Sequence, residues 1–149
     1  MELWRISNYE DLSGLGGMRA SGRWHTRGRR VVYLADHPAS ALLEMLVRMD
    51  LDLIPPAYTL LRVTAPDIVE DEYIDIDALP ADRRRQFATT RRLGDDWLDR
   101  SQTALLEVPS AIVPHARNVR LNPVHANAVS ITVTEVIHAP FDPRLVRAG

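Results

Sequence analysis

Val129–Ile137 alternates almost perfectly, with Val129, Ile131 and Val133 on one face and Ser130, Thr132 and Thr134 on the other. That is the period of a half-buried β-strand. A strand of this kind needs partners, because alone it leaves a row of amide and carbonyl groups unpaired. The other apolar segments are short enough to supply them: Leu3–Ile6, Val31–Leu34, Tyr58–Ala65, Glu72–Ile76, Ala104–Val108, Ala111–Val113 and Asn118–Leu121. Pro55-Pro56, Pro109-Ser110 and the glycine-rich segment Leu12–Gly17 punctuate them as turns or loops. Helices are expected over Pro38–Met49, Ala81–Arg92 and Gly94–Ser101. Pro38 suits a first helical turn with Asp36 as its cap, and Trp97 and Leu98 face inward from the last helix. On a helical wheel of the first helix, Leu42, Leu43, Leu46, Val47 and Met49 share one arc, opposite Ser40, Glu44 and Arg48. Many short strands with few helices predict an α+β class, and 149 residues make one domain, 1–149, with no repeat or long linker.

Composition removes several chemistries. The chain has no cysteine, which excludes disulfide scaffolding, a thiolate nucleophile and cysteine-ligated zinc. Met1-Glu2-Leu3-Trp4-Arg5 lacks a signal-peptide pattern and no apolar run is long enough to span a membrane, so a cytoplasmic protein is expected. A net charge of −2 gives no global attraction to nucleic acid. All 18 basic side chains are arginine, which stays charged and grips phosphate or carboxylate with paired hydrogen bonds. They are concentrated at Arg5, Arg19, Arg23, Arg27, Arg29 and Arg30, whereas Asp67–Asp77 is acidic.

Individual constellations are weak. No two of the five histidines have the spacing of a zinc-binding helix, so no metal site is expected. Gly14-Leu15-Gly16-Gly17 is followed by neither a GK[ST] nor a GxGxxG pattern, though it leads into Arg19–Trp24, where glycine and arginine together suit an anionic ligand. Ser110 has no local base, and Arg83-Arg84-Arg85 with Arg91-Arg92 reads as a solvated helix face rather than a nucleic-acid site. Taken singly, Glu44 pairs with Arg48 at i+4, Tyr33 is a strand aromatic, and Arg23 lies over Trp24.

Their order alters this reading. Leu3-Trp4-Arg5-Ile6, Gly16-Gly17, Ser21-Gly22-Arg23-Trp24-His25, Val31–Ala35 and Ala41-Leu42-Leu43-Glu44 resemble the N-terminal half of the RES-domain family. Gly94–Leu98, Val108–Pro114 and Asn118–His125 resemble its later segments, so the likeness covers almost the whole chain; it departs after His125, where Ala126-Asn127-Ala128 replaces the usual proline and aromatic. The resemblance implies a toxin of a bacterial toxin–antitoxin module, partnered by an Xre-like helix-turn-helix antitoxin. It also implies a fold similar to ADP-ribosyltransferase toxins: a mixed core of small β-sheets with flanking helices. By the same resemblance Glu44, Arg23 and Tyr33 are the catalytic set, and Arg23, Tyr33, Ser110 and Trp24 contact NAD, here a substrate, with no metal. The implied reaction cleaves the nicotinamide–ribose bond and transfers ADP-ribose to a protein, or alternatively to water or phosphate. An RNA-cleaving toxin or a non-enzymatic binding module is the reading from a different class. A homo-oligomer is left open, and no membrane or direct nucleic-acid contact is expected.

Overall fold

The computed structural model describes residues 1–146, so the last three residues of the expected 1–149 domain lie outside the described ones. Seven strands form one mixed sheet: β1 (Glu2–Ile6), β2 (Val32–Ala35), β3 (Ala57–Thr64), β4 (Asp71–Tyr73), β5 (Leu105–Pro109), β6 (Arg117–Leu121) and β7 (Thr132–Pro140), in the order β4-β5-β6-β2-β1-β3-β7. Two α-helices, α1 (Pro38–Leu46) and α2 (Phe87–Arg100), complete the regular structure with several 3₁₀ turns.

Register assigns the two faces. Tyr33 stands opposite Arg120 and Ala35 opposite Asn118. Arg120 is in turn opposite Leu106, and Trp4 pairs with Ala35. Because opposed residues share a face, Leu106, Val108, Asn118, Arg120, Tyr33, Ala35 and Trp4 all project to one side. Leu3, Val32, Leu34, Val63, Val119 and Leu121 project to the other, where they form the main core with Val69 and Ile131. A second core lies on the first side, where Trp97 of α2 packs with Trp24, Val31, Leu79, Leu106 and Val108. The Trp97 indole N–H donates to Thr103 Oγ1 at 3.0 Å, so the buried ring keeps its polar edge satisfied.

Three local expectations change. His37, not Asp36, caps α1: its Nδ1 accepts the Ala39 amide at 3.1 Å, with Pro38 following in the first turn as expected. Residues 81–86 form turns, and a single helix runs through Gly94 where two were expected. Gly94 is not a breaker there but a contact point, since a Cβ on it would overlap the Trp24 carbonyl oxygen. The alternating segment Val129–Ile137 begins as a 3₁₀ turn over Ala126–Ser130, capped by His125, which leaves Val129 82% exposed; the strand starts at Thr132. The hydropathy of Val129 fits the alternation, but the cap at His125 decides the backbone.

Candidate active-site cleft

β1 and β2 share a single rung, Trp4 with Ala35. Beyond it the strands separate. The gap between Arg5 and Ile6 on one side and Tyr33 and Leu34 on the other is roofed by Glu44, Met45 and Arg48 of α1, giving a cavity of about 310 Å³. A second hollow of about 230 Å³, lined by Gly16, Gly17, Gly22 and His25, shares Arg5, Tyr33 and Arg48 with the first. Together they have the size of a small-molecule site. Glycine is needed at its wall, because a Cβ on Gly22 would overlap the Tyr33 hydroxyl.

This geometry splits the expected apolar arc: Leu42, Leu46 and Met49 are half-buried, but Leu43 and Val47 are not. Ala41 is the buried residue of α1 and Glu44 looks into the cleft, while Val47 is 61% exposed and Leu43 also faces solvent. Glu44 does not depend on Arg48, whose nearest nitrogen is 4.0 Å away; an exposed pair at that distance is worth little. Its firm partner is buried Asn118, whose Nδ2 donates to Glu44 Oε1 at 2.8 Å. An amide bond to a carboxylate fixes its direction while leaving the second oxygen for a ligand.

Tyr33 is fixed at its hydroxyl. The oxygen accepts the Trp24 amide at 3.0 Å and lies 2.8 Å from His25 Nδ1. His25 Nε2 faces the carbonyls of Ala20 (2.9 Å) and Gly17 (3.3 Å), so this nitrogen carries the proton and Nδ1 accepts from the tyrosine. Burial raises the Tyr33 phenol above its ordinary value and keeps it a neutral donor. Burial also holds the His25 imidazole below its ordinary 6.5, against the opposing pull of the two carbonyls and Asp95. Unfolded histidine binds protons that the native state refuses. The stability contributed by neutral His25 is therefore complete above about pH 6.5 and is lost as the pH falls through the lower native value. Between about pH 7.5 and about pH 5.5 the thermal midpoint should drop further in wild type than in His25→Gln. Equal drops in the two proteins would contradict a native imidazole held neutral by burial.

Arg23, Trp24 and Ser110 lie apart from Glu44, around a small recess also bordered by Arg84 and Thr90. The Arg23 guanidinium donates to the Arg84 carbonyl at 3.0 Å and stacks over Phe87, with its centre 4.6 Å from the ring centroid. Burial lowers its pKa and the charge of Glu44 opposes that shift, so Arg23 senses the cleft electrostatically although it does not line it. Trp24 is 3% exposed and belongs to the core. Ser110 is buried, and its Oγ accepts the amides of Ile112 and Val113, both at 3.1 Å, which makes Ala111–Val113 a turn. Glu44 and Tyr33 are thus brought together, with Arg23 at the side and Trp24 and Ser110 within the framework.

Arg120 and Asn118 escaped the sequence reading, and both line or brace the cleft. The signal was present in Asn118-Val119-Arg120-Leu121-Asn122: its period-two pattern places three polar residues on one face of a strand whose other face is apolar. Among the described residues, no group of three histidine or acidic side chains is placed to hold a metal ion, and no helix is long and apolar enough to cross a membrane.

A single sheet thus opens between two central strands, and a carboxylate, a tyrosine and arginines line the opening. The chain matches the model of the RES domain over residues 2–142, and it belongs to the RES-domain family. It is 46% identical to Toxin Res of Pseudomonas putida, over 89% of this chain and 92% of that protein. It is 35% identical to the Prs ADP-ribosylating toxin of Sphingobium sp., over 97% of this chain and 96% of that protein. Its fold matches that in the crystal structure of the M. tuberculosis MbcT–MbcA toxin–antitoxin complex, with a TM-score of 0.71 at 17% identity, covering 97% of this chain and 86% of that one. The fold class is accordingly the α+β arrangement implied by the resemblance, and the chain is a toxin of the RES-domain type.

Proposed function

We propose that this chain cleaves the bond between nicotinamide and ribose in NAD and transfers ADP-ribose to a protein. The observation that carries this reading is Glu44, held by Asn118 in the wall of a cleft that Tyr33 also lines. As the bond from C1′ to the pyridinium nitrogen breaks, its electron pair goes to the nitrogen and nicotinamide leaves neutral. Positive charge then develops on C1′ and the ring oxygen. A carboxylate beside that sugar stabilises it, as in glycoside hydrolysis. No strong acid is needed for a neutral leaving group, so one carboxylate suffices. The acceptor heteroatom bonds to C1′ and releases its proton.

Tyr33, immobilised at its hydroxyl and with the Arg120 guanidinium over its ring, offers its remaining aromatic surface to the nicotinamide end, and Arg23 contributes charge from the rim. The Prs ADP-ribosylating toxin, a relative along nearly its whole length, supports a protein as acceptor. The exposed apolar pair Leu43 and Val47, at i,i+4 on the outer face of α1, supports docking of a helix-turn-helix antitoxin over the mouth of the cleft in the cytoplasm. Incubation with NAD labelled in the adenylate and a bacterial lysate tests the acceptor. A labelled protein band is expected. Label found only in small molecules would overturn protein transfer and assign water or phosphate instead.

A further inference from the structure

We infer that Arg120 binds a phosphate group of the ligand in this cleft. The inference rests on the nucleotide-cleaving reading and adds the place where the substrate's negative charge is held. Arg120 is 4% exposed, on β6 opposite Tyr33, and its guanidinium carbon sits over that ring at 3.8 Å from the centroid. Nη1 donates to the carbonyls of Leu34 and Val119 only at 3.4 Å, and Nε has no acceptor. Among the described residues no carboxylate comes within ion-pair distance of it. Burial lowers its pKa to about 10, so it remains a cation at neutral pH. The ring quadrupole returns only part of the hydration that a buried guanidinium gives up.

A second arginine repeats the pattern. Arg5 lines the same cavity, burial lowers its pKa, and its guanidinium reaches the Asp11 carbonyl only at 3.2 Å. With Arg48 at the mouth, three guanidinium groups line a cleft that holds one carboxylate, Glu44. Such an excess of positive charge, with Arg120 buried, Arg5 half-buried and Arg48 exposed, is stabilised by an anion that enters with its own acceptors. A phosphate fits best, because its oxygens match the guanidinium fork. The position of Arg120 against Tyr33 puts this anion next to the aromatic ring, not in the recess with Arg23.

Calorimetric titration with ADP and with adenosine isolates the phosphate contribution. Wild type should bind ADP about tenfold to a hundredfold more tightly than adenosine. Arg120→Met should lose most of that preference, with adenosine affinity held within about twofold. Arg120→Lys, which keeps the charge but not the fork, should fall between them and serves if the methionine variant fails to fold. The assignment is overturned if wild type shows no ADP preference, if either variant retains it in full, or if the variants weaken both ligands equally. Neither probe contains nicotinamide, so an ADP preference in a protein that leaves NAD intact would sink the proposed reaction and leave the anion site standing.

Discussion

Replacing Glu44 with glutamine should lower the rate of nicotinamide release from NAD by about a hundredfold to a thousandfold, with little change in thermal midpoint. Glutamine keeps the length of the side chain and an oxygen for the Asn118 amide, now 2.8 Å from Glu44 Oε1. The substitution therefore removes the charge and little else. The loss should fall on kcat, because the carboxylate acts on charge that develops only as the bond breaks. Steady-state kinetics with a parallel melting curve checks it. A variant with full activity would show that the carboxylate is structural, and one whose loss lay wholly in KM would assign Glu44 to ground-state binding.

Gly94→Ala should be the most destabilising change of a single methyl group. The added Cβ would overlap the backbone carbonyl oxygen of Trp24, which cannot rotate away as a side chain can. Either α2 lifts from the sheet or the Arg23-Trp24-His25 segment shifts, and both disturb the core around Trp97. Overpacking of this kind against backbone costs about 3 kcal/mol, well beyond the gain of about 1 kcal/mol from replacing glycine in a helix. For a domain of this size the net loss should lower the midpoint by roughly 5 °C or more. Because Trp24 donates its amide to Tyr33, activity should fall as well. A midpoint equal to wild type would mean that α2 packs differently.

These two residues mark how far the sequence could be read. Two strands of the sheet were legible because Val32–Ala35, which borders the cleft, and Leu105–Pro109 are apolar enough to be buried. Pro38 announced α1. Its facing was not legible: the wheel pointed Leu43 and Val47 inward, whereas α1 roofs a polar gap and turns Glu44 toward it. Amphipathicity reports which face differs, and the partner determines which face is covered. Gly94 was expected to begin a second helix, and its role inside one continuous helix was not legible, since the close approach of Trp24 is a tertiary contact with no local trace.

The site divides in the same way. Glu44 and Tyr33 took their meaning from the family resemblance and not from their own spacing, and the register of β2 with β6 is what brings Tyr33 to Arg120 and Asn118. Those two polar residues alternate with Val119 and Leu121, and only the pairing shows that they share the face of Tyr33. Ser110 and Trp24 show the converse. Both stand in motifs shared with the family, and in the structure one caps a turn and the other fills a core.

Glu44 is proposed to act in the cleavage of NAD. The most direct test of that claim is chromatography of the products after purified protein, free of any antitoxin, is incubated with NAD. Nicotinamide should appear in step with the loss of NAD, and it should nearly vanish with Glu44→Gln. NAD that survives intact with a folded protein able to bind ADP would contradict the claim.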